Sequence, residues 1–277
     1  MSDFIGTKLT MNLGERSYDI IVKRGSLENL YQFARLDRRV AVVTDSGVPA
    51  QYAQMVADQC KDATIITVPQ GEASKSFKIL ETVLRQMLDF GMGRGDLVVA
   101  VGGGVVGDLA GFAASIYMRG IDFINCPTTT LSMIDSSIGG KTAVDLGDTK
   151  NIVGAFWQPK LVIVDPDTLS TLPRRHFING LAEAVKAGLL ADPELFSIFE
   201  KEDVDDRIGD IICRSLRFKK SIVEQDETEQ GMRKALNFGH TIGHGIEAVK
   251  GIKGRRTVGL YHGECVAPVS YTHLTLP

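Results

Sequence analysis

Along the first half of the chain, hydrophobic positions fall in short unbroken runs separated by stretches with helical spacing. Arg39-Val40-Ala41-Val42-Val43-Thr44-Asp45 is an apolar run closed by polar residues, the pattern of a strand buried on both faces. Ala63 to Pro69, Asp96 to Val101, Phe123 to Pro127 and Leu161 to Asp165 repeat it. Pro49 to Asp58 and Ser76 to Phe90 read as helices; in the second, Phe77, Leu80, Leu84, Met87 and Leu88 share one side and Gly91 ends the element. Strands alternating with helices predict an α/β domain built on an open parallel sheet. Beyond about Pro173 the strand-like runs stop. Phe177 to Leu190, Glu194 to Glu200, Ile208 to Glu224 and Arg233 to Ala248 carry helical periodicity, which predicts an all-helical second domain. The expected division is 1–173, 174–267 and a tail, 268–277. Gly263 to Ala267 starts a helix that Pro268 should stop, since proline lacks the amide donor and crowds the preceding turn.

Composition narrows the class. The chain has 277 residues, 44% hydrophobic and 23% charged, with a net charge of −3. That is the profile of a soluble globular protein of one large or two medium domains, and it lacks the basic excess of a nucleic-acid binder. Cys60, Cys126, Cys213 and Cys265 are scattered with no CxxC pair, as expected of reduced thiols. The opening Met1-Ser2-Asp3-Phe4 has no basic region leading into an apolar run. No segment approaches the roughly 20 apolar residues of a membrane helix, so a cytoplasmic protein with no membrane partner is expected.

Two segments carry chemistry. Gly102-Gly103-Gly104-Val105-Val106-Gly107-Asp108 follows a strand and opens a helix, with Gly102, Gly104 and Gly107 in G-x-G-x-x-G spacing. Such a turn lets backbone approach a diphosphate at a helix N-terminus. The acid suited to a ribose diol would be Asp45, which taken alone reads as a turn aspartate. Gly71-Glu72-Ala73-Ser74-Lys75 is a further polar loop after a strand. The other segment is Leu236 to His244, followed by Tyr261-His262-Gly263-Glu264, which holds three of the five histidines. His240 and His244 are four apart, so on a helix both could reach one divalent ion, with His262 as a third ligand. The zincin pattern fits poorly, because no Glu follows His240.

Taken together the chain resembles the 3-dehydroquinate synthases, sugar-phosphate cyclases of the shikimate pathway. The matching blocks are Gly71-Glu72 with Lys75, residues 102–120, 127–145, Lys150-Asn151 with 154–159, 180–188, 226–244 and 262–264. The resemblance implies a Rossmann-like NAD domain followed by a helical one, with NAD and one zinc or cobalt ion. It places the metal on Glu183, His240 and His262, and makes His244 a catalytic or substrate-contacting residue instead of a ligand. NAD would be met by Asp45, Glu72, Lys75, Gly103, Gly104, Val105, Asp108, Thr128, Thr129, Thr171 and Leu172. Lys141, Lys150, Asn151, Asn237 and His244 would serve catalysis. Asp135, Lys186, Lys219 and Arg233 would hold substrate, and Arg119 would reach a neighbouring subunit's substrate phosphate in a homodimer.

The implied reaction converts 3-deoxy-D-arabino-heptulosonate 7-phosphate to 3-dehydroquinate and phosphate. It proceeds by oxidation with NAD, phosphate elimination, reduction, ring opening and aldol closure. A substrate carrying a carboxylate and a phosphate calls for the cations this set supplies. Three other readings stand beside it: another sugar-phosphate cyclase, a metal-dependent polyol or alcohol dehydrogenase, and an inactive fragment. The last follows from the tail, which lacks family likeness. It implies an incomplete helical domain with uncovered apolar faces.

Overall fold

The structure, a computed structural model, describes residues 6–248 and 259–275, with side chains described through 269 except at 241, 244, 247 and 248. A seven-stranded sheet forms the first half. Its strands are β1 (Thr7–Met11), β2 (Tyr18–Val22), β3 (Arg39–Asp45), β4 (Asp62–Val68), β5 (Leu97–Gly102), β6 (Asp122–Pro127) and β9 (Leu161–Val164). They run in the order β1-β2-β9-β6-β5-β3-β4. Every pair is parallel except β1 with β2. β5 and β9 are buried along their whole length, which is why they read as unbroken apolar runs.

Three helices cover the sheet: α1 (Ala50–Ala57), α2 (Phe77–Asp89) and α3 (Gly104–Ile116). One face packs Ala41, Val43, Val98 and Ala100 against Leu80, Val83, Leu109 and Ala113. The other packs Val40, Val42, Val99 and Val101 against Tyr52 and Val56. From Arg174 onward the chain is helical: α4 (Arg174–Ala191), α5 (Pro193–Lys201), α6 (Ile208–Gln225), α7 (His240–Ala248) and α8 (His262–Thr275). This half shares a core with the sheet. Met11, Ile20, Val22, Val162 and Val164 pack in one cluster with Phe177, Leu195, Ile211 and Leu216.

Four strands escape the sequence reading. β1 and β2 form an antiparallel hairpin ahead of the first strand read. β7 (Lys141–Leu146) and β8 (Thr149–Phe156) form a separate hairpin. Two helix expectations are corrected. Arg233 to Ala248 is not one helix: a 3₁₀ turn over Met232–Asn237 ends before Gly239, whose φ of 78° only glycine adopts without strain, and α7 restarts at His240. Pro268 does not stop α8, which runs from His262 to Thr275 with the proline inside. Lying beyond the first turn, it removes a single amide donor, while the turns on either side keep theirs. All four cysteines are free, three of them buried. Among the described residues no helix is long and apolar enough to cross a membrane.

Candidate active site

The carboxyl edge of the parallel sheet gathers the residues expected at a dinucleotide. Asp45 ends β3, Glu72 and Lys75 follow β4, Gly103 and Gly104 follow β5, Thr128 and Thr129 follow β6, and Thr171 and Leu172 follow β9. Open α/β sheets bind ligands at this edge, because loops and helix N-termini converge there. Gly103 is the N-cap of α3, and Gly104 and Val105 begin its first turn. None of Gly102, Gly104 and Gly107 has a positive φ. Their value is room: a Cβ on Gly102 would lie 2.7 Å from the Val106 Cβ, and one on Gly104 would lie 3.0 Å from the Ser136 Oγ. Asp45 accepts the Gly47 amide at 2.7 Å, as a turn aspartate does. Thr171 Oγ1 lies 3.0 Å from the Tyr52 hydroxyl.

Beside this edge, buried Lys75 donates to Asp108 at 2.7 Å and to the Asn151 side chain, so α3 and the β7–β8 hairpin meet at one ammonium. Burial pushes the Asp108 carboxyl up, against the pull of Lys75. Asn151 holds a left-handed φ of 56°, fixed in part by its amide donating to Asp145 at 2.8 Å. Lys150 on the same strand lies 3.9 Å from Glu72.

The helical half supplies a cluster of side chains that could hold a metal ion. Ligand atoms of Glu183, His240 and His262 all lie within 4.8 Å of one another. Glu183 Oε1 is 3.6 Å from His240 Nε2 and 3.5 Å from His262 Nε2. A tetrahedral ion bonded at about 2.1 Å separates its ligands by roughly 3.4 Å, so the spacing suits zinc or cobalt. The buried Glu183 Oε1 has no hydrogen-bond partner among the described residues. An acceptor so placed fits a cation held jointly with two imidazoles. His240 Nδ1 sits 3.2 Å from the Phe238 carbonyl. A proton there donates to that oxygen and leaves Nε2 free to ligate. Burial and nearby Lys186 hold the His240 imidazolium below its ordinary range, favouring the neutral, ligating form. Burial works to raise the Glu183 carboxyl, and His262 and Lys186 outweigh it, so the group stays ionised.

Lys186, Lys219 and Arg233 are buried cations. Lys186 lies 2.5 Å from Glu183 Oε2 and donates to the Leu236 carbonyl at 2.6 Å. Lys219 meets the Asp135 carboxylate at 2.8 Å. Asp135 itself rides on a single π-type turn, Ser132–Ser136. Burial favours its neutral form, but Lys219 and Lys186 outweigh that and bring the carboxyl to about 2. Arg233 is 1% exposed and donates to the carbonyls of Gly139, at 2.9 Å, and Glu227. Lys141 pairs with Glu229, which also accepts from Asn237 at 2.8 Å.

Glu229 went unread in the sequence, although it joins two of the expected residues. Its own left-handed φ of 60° is a structural signal with no counterpart in residue type. Arg119 is not brought to this group. It follows α3, whose 13 residues carry the chain about 20 Å from the carboxyl edge back to the start of β6. His244 lies on α7, but its side chain is outside those described.

Residues 65–179 match the 3-dehydroquinate synthase N-terminal family and residues 180–272 the 3-dehydroquinate synthase C-terminal family. The chain belongs to the 3-dehydroquinate synthase family. It is 44% identical to 3-dehydroquinate synthase of Pelobacter propionicus over 272 residues, covering 94% of this chain and 74% of that one. The Streptococcus mutans enzyme of the same name is also 44% identical, with 94% and 75% covered. Among solved structures, 2-deoxy-scyllo-inosose synthase complexed with carbaglucose-6-phosphate, NAD+ and Co2+ aligns with a TM-score of 0.86 at 28% identity, over 95% of this chain and 75% of that one. The 2-epi-5-epi-valiolone synthase of Streptomyces hygroscopicus, with NAD+ and Zn2+ bound, gives 0.80 at 30% identity, over 94% and 74%.

Proposed function

We propose that this chain converts 3-deoxy-D-arabino-heptulosonate 7-phosphate to 3-dehydroquinate and phosphate, using NAD and one zinc or cobalt ion. The observation that carries the reading is the three-ligand set of Glu183, His240 and His262 facing buried Lys186, next to the Lys219–Asp135 pair. Relatives named for that activity at 44% identity favour it over the cyclases at 28 and 30%. When bound, NAD supplies a hydride acceptor that is restored within the turnover, and the ion supplies Lewis acidity at the hydroxyl that becomes a carbonyl.

The chain's own residues bind and orient. Lys141, Lys150, Lys219 and Arg233 counter the carboxylate and phosphate of the substrate. Asn151 and Asn237 direct hydrogen bonds at its hydroxyls, and His244 handles a proton. Glu229 holds Lys141 and Asn237 at one wall of the cleft. Arg119, remote from its own cleft, serves the substrate phosphate of a second copy in a homodimer. A substrate carrying a carboxylate and a phosphate does not cross a lipid bilayer unaided, which supports a cytoplasmic setting for the reaction.

The test is phosphate release from the keto-acid phosphate with NAD far below substrate concentration, with and without a chelator. The reading expects many phosphates per NAD, no net NADH, and loss of release on chelation. Net NADH would favour a polyol dehydrogenase instead. Release indifferent to chelator and NAD would overturn every cyclase reading.

A further inference from the structure

α4 presents a stripe that faces the segment carrying His262. Arg175, Asn179 and Glu183 are four residues apart and so lie above one another on one face. Each engages residues 259–264. Arg175 donates to Glu264 twice, Nε to Oε1 at 2.9 Å and Nη2 to Oε2 at 2.7 Å. Nη2 also donates to the Gly259 carbonyl at 2.9 Å. The guanidinium lies over the Tyr261 ring, 3.9 Å from its centroid, and His176 stacks on the same ring at 4.7 Å. Asn179 Oδ1 accepts the Gly263 amide at 2.7 Å. Gly263 is pressed so close that a Cβ there would sit 2.0 Å from the Asn179 carbonyl oxygen. One stripe thus holds the backbone on both sides of His262, and its last member is Glu183, 3.5 Å from the His262 Nε2.

We propose that Arg175, through Glu264 and Tyr261, is a positioning residue that sets His262 opposite Glu183. The proposal rests on reading Glu183, His240 and His262 as a metal site. A planar fork satisfied by a carboxylate on its edge and an aromatic ring on its face has one orientation, which fixes the rotation of the 259–264 turn. His262 joins the other ligands from a separate segment, so its share of the binding depends on that rotation. Glu264 and Arg175 keep only 22% and 25% of their side-chain surface open, so water competes weakly for the fork.

The test titrates cobalt(II) into the full chain and reads both the dissociation constant and the visible absorption spectrum. Arg175→Ala should weaken cobalt about 10–100-fold, as loss of a ligand's supporting contact does elsewhere. Its cobalt spectrum should match that of His262→Ala. Glu264→Gln, which keeps shape and volume, should shift both readouts the same way, and it decides the matter if Arg175→Ala fails to fold. Arg175→Lys keeps the charge without the fork and should recover only part of the affinity. Glu183→Ala separates the two levels of the account. If it binds cobalt as the unaltered chain does, the metal reading itself falls. If it loses cobalt while Arg175→Ala or Glu264→Gln keeps the original constant and spectrum, the positioning role alone is overturned.

Discussion

At the scale of single residues, the site is a set of charges that are tolerable only in company. Lys219 is buried, which by itself favours its neutral form, and Asp135 opposes that from 2.8 Å. The Asp135 carboxyl, at about 2, lies below the ordinary value near 4. A carboxyl lowered on folding gives stability that is complete above about pH 4 and lost as pH falls through about 2. Asp135→Asn should therefore lower unfolding free energy near neutral pH. The loss should be less than the roughly 3–5 kcal/mol of a fully buried pair, since 35% of the Asp135 side chain is open. Urea unfolding from pH 7 to pH 2 should show the two chains converging below about pH 4. A gap that stays constant across the range would contradict the pairing. Lys141, Lys150, Lys186 and Arg233 were singled out because they sit in the family blocks, whereas Lys219 lies outside every block. Residue identity did not make Glu183 legible as a ligand from spacing. HxxxH pointed to His240 and His244, and only the fold carries a glutamate from α4 to the same point.

At the scale of elements, close backbone contacts decide where functional side chains land. α4 carries both Glu183 and Lys186, and Gly180 seats it against the segment after β6. A Cβ at Gly180 would lie 2.2 Å from the Leu131 amide nitrogen and 2.6 Å from the Thr130 Cβ. In an open helix, Gly to Ala gains up to about 1 kcal/mol. Here backbone meets Cβ and neither can rotate away, so overpacking should win by about 1–3 kcal/mol. Gly180→Ala should melt several degrees lower, at about 2–4 °C per kcal/mol for a chain of this size. An equal or higher melting temperature would show that α4 is free to shift. The parallel strands were legible because burial on both faces leaves a continuous apolar run. The β7–β8 hairpin was not, since its residues are largely open on one side and include Lys141, Asp145, Lys150 and Asn151. The break at Gly239 hid inside good helical periodicity, and Pro268 was over-read as a stop where the helix simply forgoes one bond.

At the scale of the whole molecule, the sheet and helices α4, α5 and α6 are held together by a common core instead of a flexible link. Phe177, Leu195, Ile211 and Leu216 pack directly with strand residues Ile20, Val162 and Val164. The charges report the same closeness: Asp108 on α3 feels Lys219 on α6, and Asp135 feels His240 on α7. The α/β half and the helical half could be told apart in the sequence from the change of period near Pro173, but their shared core could not. Apolar positions show that a face is buried without naming what it is buried against. The central claim is that Glu183, on a helix seated in this core, meets His240 and His262 around one divalent ion beside the nucleotide edge. Equilibrium dialysis against zinc tests it most directly. The account predicts one tightly held zinc per chain, weakened by at least about 10-fold in each of Glu183→Ala, His240→Ala and His262→Ala. No zinc above the buffer level, or three variants that keep it as firmly as the unaltered chain, would contradict it.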